Sequence, residues 1–136
     1  MAKYSGGCAC GAVRYETDAE PIMAGHCQCG KCQKLSGAPH SSFAAFPAPA
    51  VKMTGQLNYW SYTADSGNVA TRGHCPNCGS QILGKTSAMK DLVALQLTSL
   101  DNPAAITPQM VFFTASAQPW DHMPESLAKF PGMPPM

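Results

Sequence analysis

The sequence predicts an all-β domain, and three observations support this fold class. The candidate strands are short, turn-forming residues separate them, and few positions are charged. The chain has 136 residues, of which 12 are Gly and 12 are Pro, and only 12% of its residues are charged. A typical soluble domain has about 25% charged residues. Short apolar runs bounded by Gly, Pro, Asn and Asp are typical of strands, and they leave little room for long solvated helices.

Eight segments carry strand signals, and the clearest is 92–98 (LVALQLT), whose side chains alternate between two faces. The segment 56–62 (QLNYWSY) is rich in aromatic residues, and general burial tendencies predict that Tyr59 and Trp60 lie in the core. The other candidate strands, in chain order, are 12–16, 42–46, 51–53, 69–72, 81–83 and 109–114.

Helical signals are weaker than strand signals. The segment 31–37 is predicted to form one helical turn, and 124–130 a short helix or a loop. The chain length predicts a single domain spanning 1–136. The last residues, about 131–136 (PGMPPM), are expected to form a flexible tail.

The overall charge argues against a nucleic-acid or membrane partner. The formal net charge is +1, without the basic stripe of a nucleic-acid binder, and no apolar run approaches the ~18 residues that span a bilayer. The start of the sequence, MAKYSGGCACGAVRYE, lacks the apolar stretch of a secretory signal. We therefore expect a cytoplasmic protein. Because thiols stay reduced there, the seven cysteines point to metal or thiol chemistry rather than to disulfides.

Two cysteine pairs have the spacing of ligands to one metal ion. Cys75 and Cys78 (CPNCG) form a C-x-x-C pair followed by Gly79, and two intervening residues allow both sulfurs to reach one zinc ion at ~2.3 Å. Cys8 and Cys10 (CACG) form a C-x-C pair, which closes too short a loop for a relaxed disulfide. Together the two pairs supply four thiolates, the ligand set of a closed structural zinc site.

The remaining three cysteines lie in one short loop, HCQCGKC, where a C-x-C pair overlaps a C-x-x-C pair. Cys27, Cys29 and Cys32 would hold one face of a zinc ion and leave its fourth position open, as in catalytic zinc sites. Spacing alone allows other partitions. These three with one distant cysteine could form the closed site instead, or His26 or His74 could complete a four-ligand set.

Three thiolates would suit the open site to thiol chemistry. They weaken zinc as a Lewis acid for making hydroxide and favour a fourth soft ligand, an incoming thiol. The thiolate is the nucleophilic form of a thiol. The natural small cytoplasmic thiol is glutathione, and its sulfur would attack a small electrophile. Lys31 and Lys34 flank the loop and could balance its charge or meet a carboxylate of glutathione.

The ordered cysteine motifs resemble those of the glutathione-dependent formaldehyde-activating enzyme family, which includes centromere protein V-like proteins. The resemblance runs over nearly the whole chain, through GGCACGAVRYE, HCQCGKCQKLSGA, GHCPNCGS, SLDNP and QPW. It implies an all-β fold of small antiparallel sheets in a zinc-stabilised, tent-like arrangement (a β-tent). Gln33 follows the third cysteine of the loop, where Arg is common in the family, and His74 stands where an aromatic residue is usual.

The resemblance also implies a division of the cysteines and a reaction. The implied reaction adds glutathione to formaldehyde and gives S-(hydroxymethyl)glutathione, a carbon–sulfur lyase activity. Both ligand sets follow from the resemblance: Cys8, Cys10, Cys75 and Cys78 for a structural zinc, and Cys27, Cys29 and Cys32 for an open, catalytic zinc.

Two other functions fit the same residues. A non-catalytic module would bind glutathione or a protein, without raising the spontaneous rate at which glutathione and formaldehyde combine. A thiol or metal sensor would release zinc reversibly when its crowded thiolates are oxidised. Outside the cysteine motifs, His40 is a candidate proton shuttle, because histidine titrates near neutral pH, and Trp120 is a candidate pocket wall.

Overall fold

The computed structural model describes residues 2–133. They form one α-helix, α1 (Gly30–Ser36), and eleven strands. In chain order the strands are β1 (Tyr4–Gly7), β2 (Arg14–Thr17), β3 (Met23–Cys27), β4 (Ser41–Pro47), β5 (Lys52–Thr54), β6 (Asn58–Thr63), β7 (Val69–His74), β8 (Gln81–Thr86), β9 (Leu92–Gln96), β10 (Met110–Phe112) and β11 (Ala128–Lys129). Short 3₁₀ helices lie at Ala48–Ala50, Ser87–Met89, Leu97–Ser99, Pro103–Ala105 and Thr114–Ser116. The predicted all-β class is confirmed.

The strands form two sheets of unequal size. The smaller sheet is antiparallel, in the order β1-β2-β5, and the larger has eight strands in the order β11-β10-β3-β4-β9-β8-β7-β6. The larger sheet is mixed, since β10 pairs in parallel with both β3 and β11. A parallel pair needs a long connection rather than a hairpin, and the chain forms β4 to β9 between β3 and β10 and a 3₁₀ helix between β10 and β11.

The two faces of the larger sheet have different surroundings. Ala44, Val93 and Leu95 lie on the face that packs against the smaller sheet, and all three are at most 3% exposed. On the opposite face, Gly84 and Ala94 are paired across β8 and β9 and are half-buried. Because successive residues of a strand point to opposite faces, the sheet has a closed apolar side and a partly open side.

Each of the eight predicted strands overlaps an observed strand, β2 or one of β4 to β10. The sequence does not predict β1 (YSGG) or β3 (MAGHC), because both contain small residues that give only a weak strand signal. The helical turn predicted at 31–37 is α1, and the residue that follows the helix, Gly37, is in the left-handed conformation with a φ of 69°. The segment 124–130 contains a turn followed by β11.

The prediction that Tyr59 and Trp60 lie in the core is wrong. Their side chains are 56% and 46% exposed, because β6 is the edge strand of the larger sheet and has no further strand beside it. At the other end of the chain, the carbonyls of Pro131 and Gly132 accept backbone hydrogen bonds. The rest of the predicted tail, 134–136, lies outside the described residues.

None of the helices between residues 2 and 133 has the length and hydropathy needed to cross a bilayer.

Candidate metal centre

Four cysteines from two distant parts of the chain come together in one cluster. The sulfurs of Cys8, Cys10, Cys75 and Cys78 lie within 4.8 Å of one another. Cys8 follows β1, and the other pair lies in the turn between β7 and β8. Four thiolate donors at this separation fit a tetrahedral zinc ion. The cluster would then join the smaller sheet to the larger one.

Two glycines shape the loops of the four-cysteine cluster. Gly11 and Gly79 have φ angles of 84° and 79°, the left-handed region that glycine adopts without strain. The N–H of Gly79 donates to the carbonyl of Cys75 at 2.9 Å and closes that turn. The N–H of Ala9 donates to the Ser80 hydroxyl at 3.0 Å, which ties the two loops together beside the sulfurs.

The other three cysteines form a second cluster at the start of α1. The sulfurs of Cys27, Cys29 and Cys32 lie within 4.8 Å of one another. Cys27 ends β3, Cys29 caps the N-terminus of α1, and Cys32 lies in the first turn of that helix. The sulfur of Cys29 accepts a hydrogen bond from the N–H of Cys32 at 3.3 Å. Three sulfurs in this arrangement fit one zinc ion with a fourth ligand supplied from outside the cluster.

Neither histidine considered as a further ligand belongs to a cluster of potential metal ligands within residues 2–133. His26 Nδ1 lies 2.8 Å from the Ser42 hydroxyl, and its ring stacks edge-on against His40 with 4.9 Å between ring centroids. His74 pairs with Asn58 at the end of β7. The structure thus brings the cysteines together as one set of four and one set of three.

Arg72, which the cysteine motifs do not predict as a site residue, extends from β7 to the three-cysteine cluster. Its Nη2 atom donates to the sulfur of Cys32 at 3.4 Å and to the Tyr62 hydroxyl at 3.1 Å. Arg72 pairs with Gly84 on β8, where a Cβ atom would lie 3.5 Å from Arg72 Cδ. The one available signal was a lone arginine within a predicted strand, three residues before Cys75.

The charges of the three-cysteine cluster and of Arg72 stabilise each other. Hydrogen bonds from Cys27 and Cys29 lower the pKa of the Cys32 thiol, and the positive charge of Arg72 lowers it further against the effect of burial. Burial by itself would lower the pKa of Arg72, but the negative charge of Cys32 raises that pKa above its usual value. Each of the two groups therefore favours the charged form of the other.

Aromatic rings and a second cation stand beside Arg72. The Lys31 ammonium lies 5.5 Å from the Trp60 ring centroid and 5.2 Å from that of Tyr62, within range of cation–π attraction. Lys34 is exposed in the last turn of α1. Trp120, the candidate pocket wall, is 64% exposed.

His40 and Gln33 contact the chain beyond residue 113 rather than the sulfurs. His40 Nδ1 lies 3.0 Å from a carboxylate oxygen of Asp121. The side-chain amide of Gln33 donates to the carbonyl of Ser116 at 3.0 Å and accepts from Gln118 at 2.8 Å. Both residues connect the α1 region to the C-terminal part of the chain.

The comparisons with known proteins agree with the cysteine pattern. The profile of the family described as "Glutathione-dependent formaldehyde-activating enzyme" matches residues 3–116. No curated protein matches the chain. The crystal structure of a Rhodobacter sphaeroides protein from Northeast Structural Genomics is similar, with a TM-score of 0.59 and 20% sequence identity over 74% of this chain and 93% of that one. At that identity the likeness shows the fold alone. Since the profile match includes all seven cysteines, the chain belongs to the glutathione-dependent formaldehyde-activating enzyme family.

Proposed function

We propose that the protein adds glutathione to formaldehyde, or to a similar small aldehyde, at the three-cysteine cluster. The observation that carries the proposal is the cluster itself. The sulfurs of Cys27, Cys29 and Cys32 lie within 4.8 Å of one another, next to the guanidinium of Arg72. Three protein ligands suit a zinc ion that keeps one position for a ligand from solution. The family match supports glutathione and formaldehyde as the reactants.

Zinc is the metal that we assign to both clusters. Donor sets made only of cysteine sulfur favour zinc over hard cations such as magnesium and calcium. Cys8, Cys10, Cys75 and Cys78 would hold a structural ion. At the three-cysteine cluster, a bound zinc would supply one chemical effect, which is to lower the pKa of a fourth thiol ligand so that it reacts as thiolate.

Two cations would balance the charge of the loaded cluster. Three thiolates carry more negative charge than a zinc ion neutralises, and a thiolate from the substrate would add to the excess. Arg72 offsets it from 3.4 Å and keeps its charge at any physiological pH. Lys31, held over Trp60 and Tyr62, would meet a carboxylate of glutathione.

The proposed reaction retains every atom of the two reactants. The thiol loses its proton, its sulfur bonds to the carbonyl carbon, and the π electrons of the carbonyl move to the oxygen, which takes up a proton. We assign proton donation to the Tyr62 hydroxyl. Its oxygen accepts a hydrogen bond from Arg72 at 3.1 Å, so its own hydrogen is left for another acceptor. The tyrosine then regains a proton from solvent.

We also propose a cytoplasmic location. Both cysteine clusters need reduced thiols to bind zinc, and the cytoplasm keeps thiols reduced. The same compartment supplies glutathione as the thiol.

The test is a rate measurement, because glutathione and formaldehyde combine without help. NMR exchange between free glutathione and S-(hydroxymethyl)glutathione at equilibrium is measured with zinc-loaded protein and with the Cys32→Ser variant. We expect the exchange rate to rise in proportion to the concentration of the wild-type protein and not of the variant. Equal rates with and without wild-type protein would contradict the proposed enzymatic activity and favour the alternative, a non-catalytic thiol-binding module.

A further inference from the structure

The residues after the family match pack next to the segment 27–32, which carries Cys27, Cys29 and Cys32 and is here called the three-cysteine loop. The match ends at residue 116, and the residues that follow, 117–133, are here called the C-terminal segment. Its strand β11 pairs with β10, and the ring centroid of Phe130 lies 6.1 Å from that of Phe112. Phe113 turns the chain into this path with a positive φ of 59°. The segment therefore lies against the strand that neighbours β3, which carries the first cysteine of the loop.

Gln28, between the first two cysteines of the loop, is only 2% exposed and forms hydrogen bonds with three other residues. Its N–H donates to the carbonyl of Phe112 at 2.9 Å. Its carbonyl accepts from the Gln33 side chain at 2.8 Å, and its own side-chain amide donates to Asp121 Oδ2 at 2.9 Å. Because two sulfur-bearing residues adjoin Gln28 directly, fixing its backbone limits where their sulfurs can lie.

Asp121 provides the contact between the C-terminal segment and Gln28. Its side chain is 7% exposed, and a carboxylate this buried is costly unless it is hydrogen-bonded. Besides Gln28, its second partner is His40 Nδ1, which lies 3.0 Å from Oδ2. His40 directly precedes β4. Asp121 thus ties the cysteine loop to the start of the neighbouring strand.

Gln118 provides a second contact, through α1. Its side-chain amide donates to the oxygen of the Gln33 amide at 2.8 Å, and the nitrogen of that amide donates to the carbonyls of both Gln28 and Ser116. Every polar atom of the Gln33 side chain is therefore engaged between the loop and the C-terminal part of the chain.

We propose that the C-terminal segment, chiefly through Asp121, holds the three-cysteine loop in its metal-binding arrangement. Asp121 and Gln118 are positioning residues, because each acts through a glutamine, Gln28 or Gln33, and not on the metal. The inference rests on the proposed function only in taking the three cysteines as ligands. Removal of groups that support metal ligands typically costs about 10- to 100-fold in metal affinity.

The test measures zinc affinity at each cluster by competition between the zinc-loaded full chain and a chromophoric chelator, without glutathione or aldehyde. The Cys32→Ser variant identifies which released ion belongs to the three-cysteine cluster. The variants are Asp121→Ala and Asp121→Asn. The matched control is Glu125→Ala, which removes an exposed carboxylate from the same segment. Gln118→Ala provides a second measurement if Asp121→Ala does not fold.

We expect Asp121→Ala to weaken zinc binding at the three-cysteine cluster about 10-fold and to leave the four-cysteine cluster unchanged. Gln118→Ala should act in the same direction but less, and Glu125→Ala should have no effect. Asp121→Asn keeps an oxygen for Gln28 and should recover most of the affinity. Equal weakening at both clusters, or a lower Tm with unchanged zinc affinity, would overturn the proposal. Because no reactant is present, a failure of the enzyme assay leaves this result intact.

Discussion

The Nη2 atom of Arg72 lies 3.4 Å from the sulfur of Cys32, although the two residues are 40 positions apart. β7 carries the arginine and α1 carries the cysteine. The side chain passes next to Gly84, where a Cβ atom would be in ordinary contact with Arg72 Cδ at 3.5 Å. The positive charge at the three-cysteine cluster thus comes from β7, which lies four places away from β3 in the larger sheet.

The first prediction concerns this charge. Arg72→Gln removes the cation but keeps a hydrogen-bond donor, whereas Arg72→Lys keeps the charge. Without the cation, the repulsion among the sulfurs is no longer offset, so we expect Arg72→Gln to weaken zinc binding at the three-cysteine cluster about 10-fold and Arg72→Lys less. Chelator competition measures the change. Equal losses in both variants would indicate that the paired contacts of the Arg72 Nη2 atom with Cys32 and Tyr62, and not its charge, are what matters.

The second prediction contrasts the two clusters. A structural zinc contributes about 10–16 kcal/mol of apparent binding energy, which is comparable to the total stability of a typical domain, about 5–15 kcal/mol. Cys75→Ser should therefore abolish folding, while Cys32→Ser should fold with one zinc per chain instead of two. Circular dichroism and metal analysis of both variants provide the measurement. A folded Cys75→Ser, or an unfolded Cys32→Ser, would contradict the division of roles.

The pairing of neighbouring cysteines could be predicted from the sequence because the C-x-C and C-x-x-C spacings are local, whereas the division into one set of four and one set of three came from the family resemblance. Two close cysteines bring their sulfurs near one another whatever the rest of the fold does. The contact of Arg72 could not be predicted, because it depends on the register between β7 and β8, which places the small residue Gly84 opposite the arginine. Register is a property of the assembled sheet and not of either strand alone.

The position of a strand within its sheet could not be predicted from the sequence either. An aromatic run such as β6 is apolar enough for a core strand, but its place at the sheet edge leaves Tyr59 and Trp60 exposed. The small residues Ala24 and Gly25 give β3 no clear strand signal, yet it lies inside the larger sheet between β4 and β10. Gly25 is required there, since a Cβ atom would lie 2.9 Å from the carbonyl oxygen of Met110.

The third prediction tests substrate recognition by Lys31. Lys31→Ala removes the ammonium over Trp60 and Tyr62, and we expect a several-fold higher KM for glutathione with little change in kcat, because a binding contact is lost that is equal in the ground and transition states. Lys34→Ala is the matched control, since it removes an exposed lysine from the same helix. Steady-state kinetics measures both. The same KM change in the two variants would instead point to general attraction of the anionic substrate.

The fourth prediction concerns pH and the ion pair that joins β2 to the loop after β9. Hydrogen bonds from Arg14, and then from Ser5, lower the pKa of Asp101 to about 2. A folded pKa below the unfolded value of about 3.9 means that the stabilisation is complete above the unfolded value and is lost as the pH falls toward the folded one. Asp101→Asn should therefore lower Tm slightly and by a constant amount from pH 5 to 8, as thermal unfolding would measure. A Tm difference that varies across that range would contradict the assignment.

The fifth prediction tests the proton donor. Tyr62→Phe keeps the ring beside Lys31 and removes only the hydroxyl that bonds to Arg72. Loss of one group that stabilises the developing oxygen charge typically costs about 100-fold or more in kcat, so we expect a decrease of this order. KM for glutathione and the zinc content should stay unchanged, because the proposed role of the hydroxyl is to donate to the aldehyde oxygen and not to the thiol.

The zinc content decides how a slow Tyr62→Phe variant is interpreted. The hydroxyl also bonds to Arg72, so its loss could act through zinc binding at the three-cysteine cluster instead of through proton donation. A decrease in kcat at full zinc occupancy supports donation, because the cluster is then intact. A decrease that follows a loss of zinc would instead make Tyr62 a support for Arg72, and an unchanged kcat would remove it from the reaction.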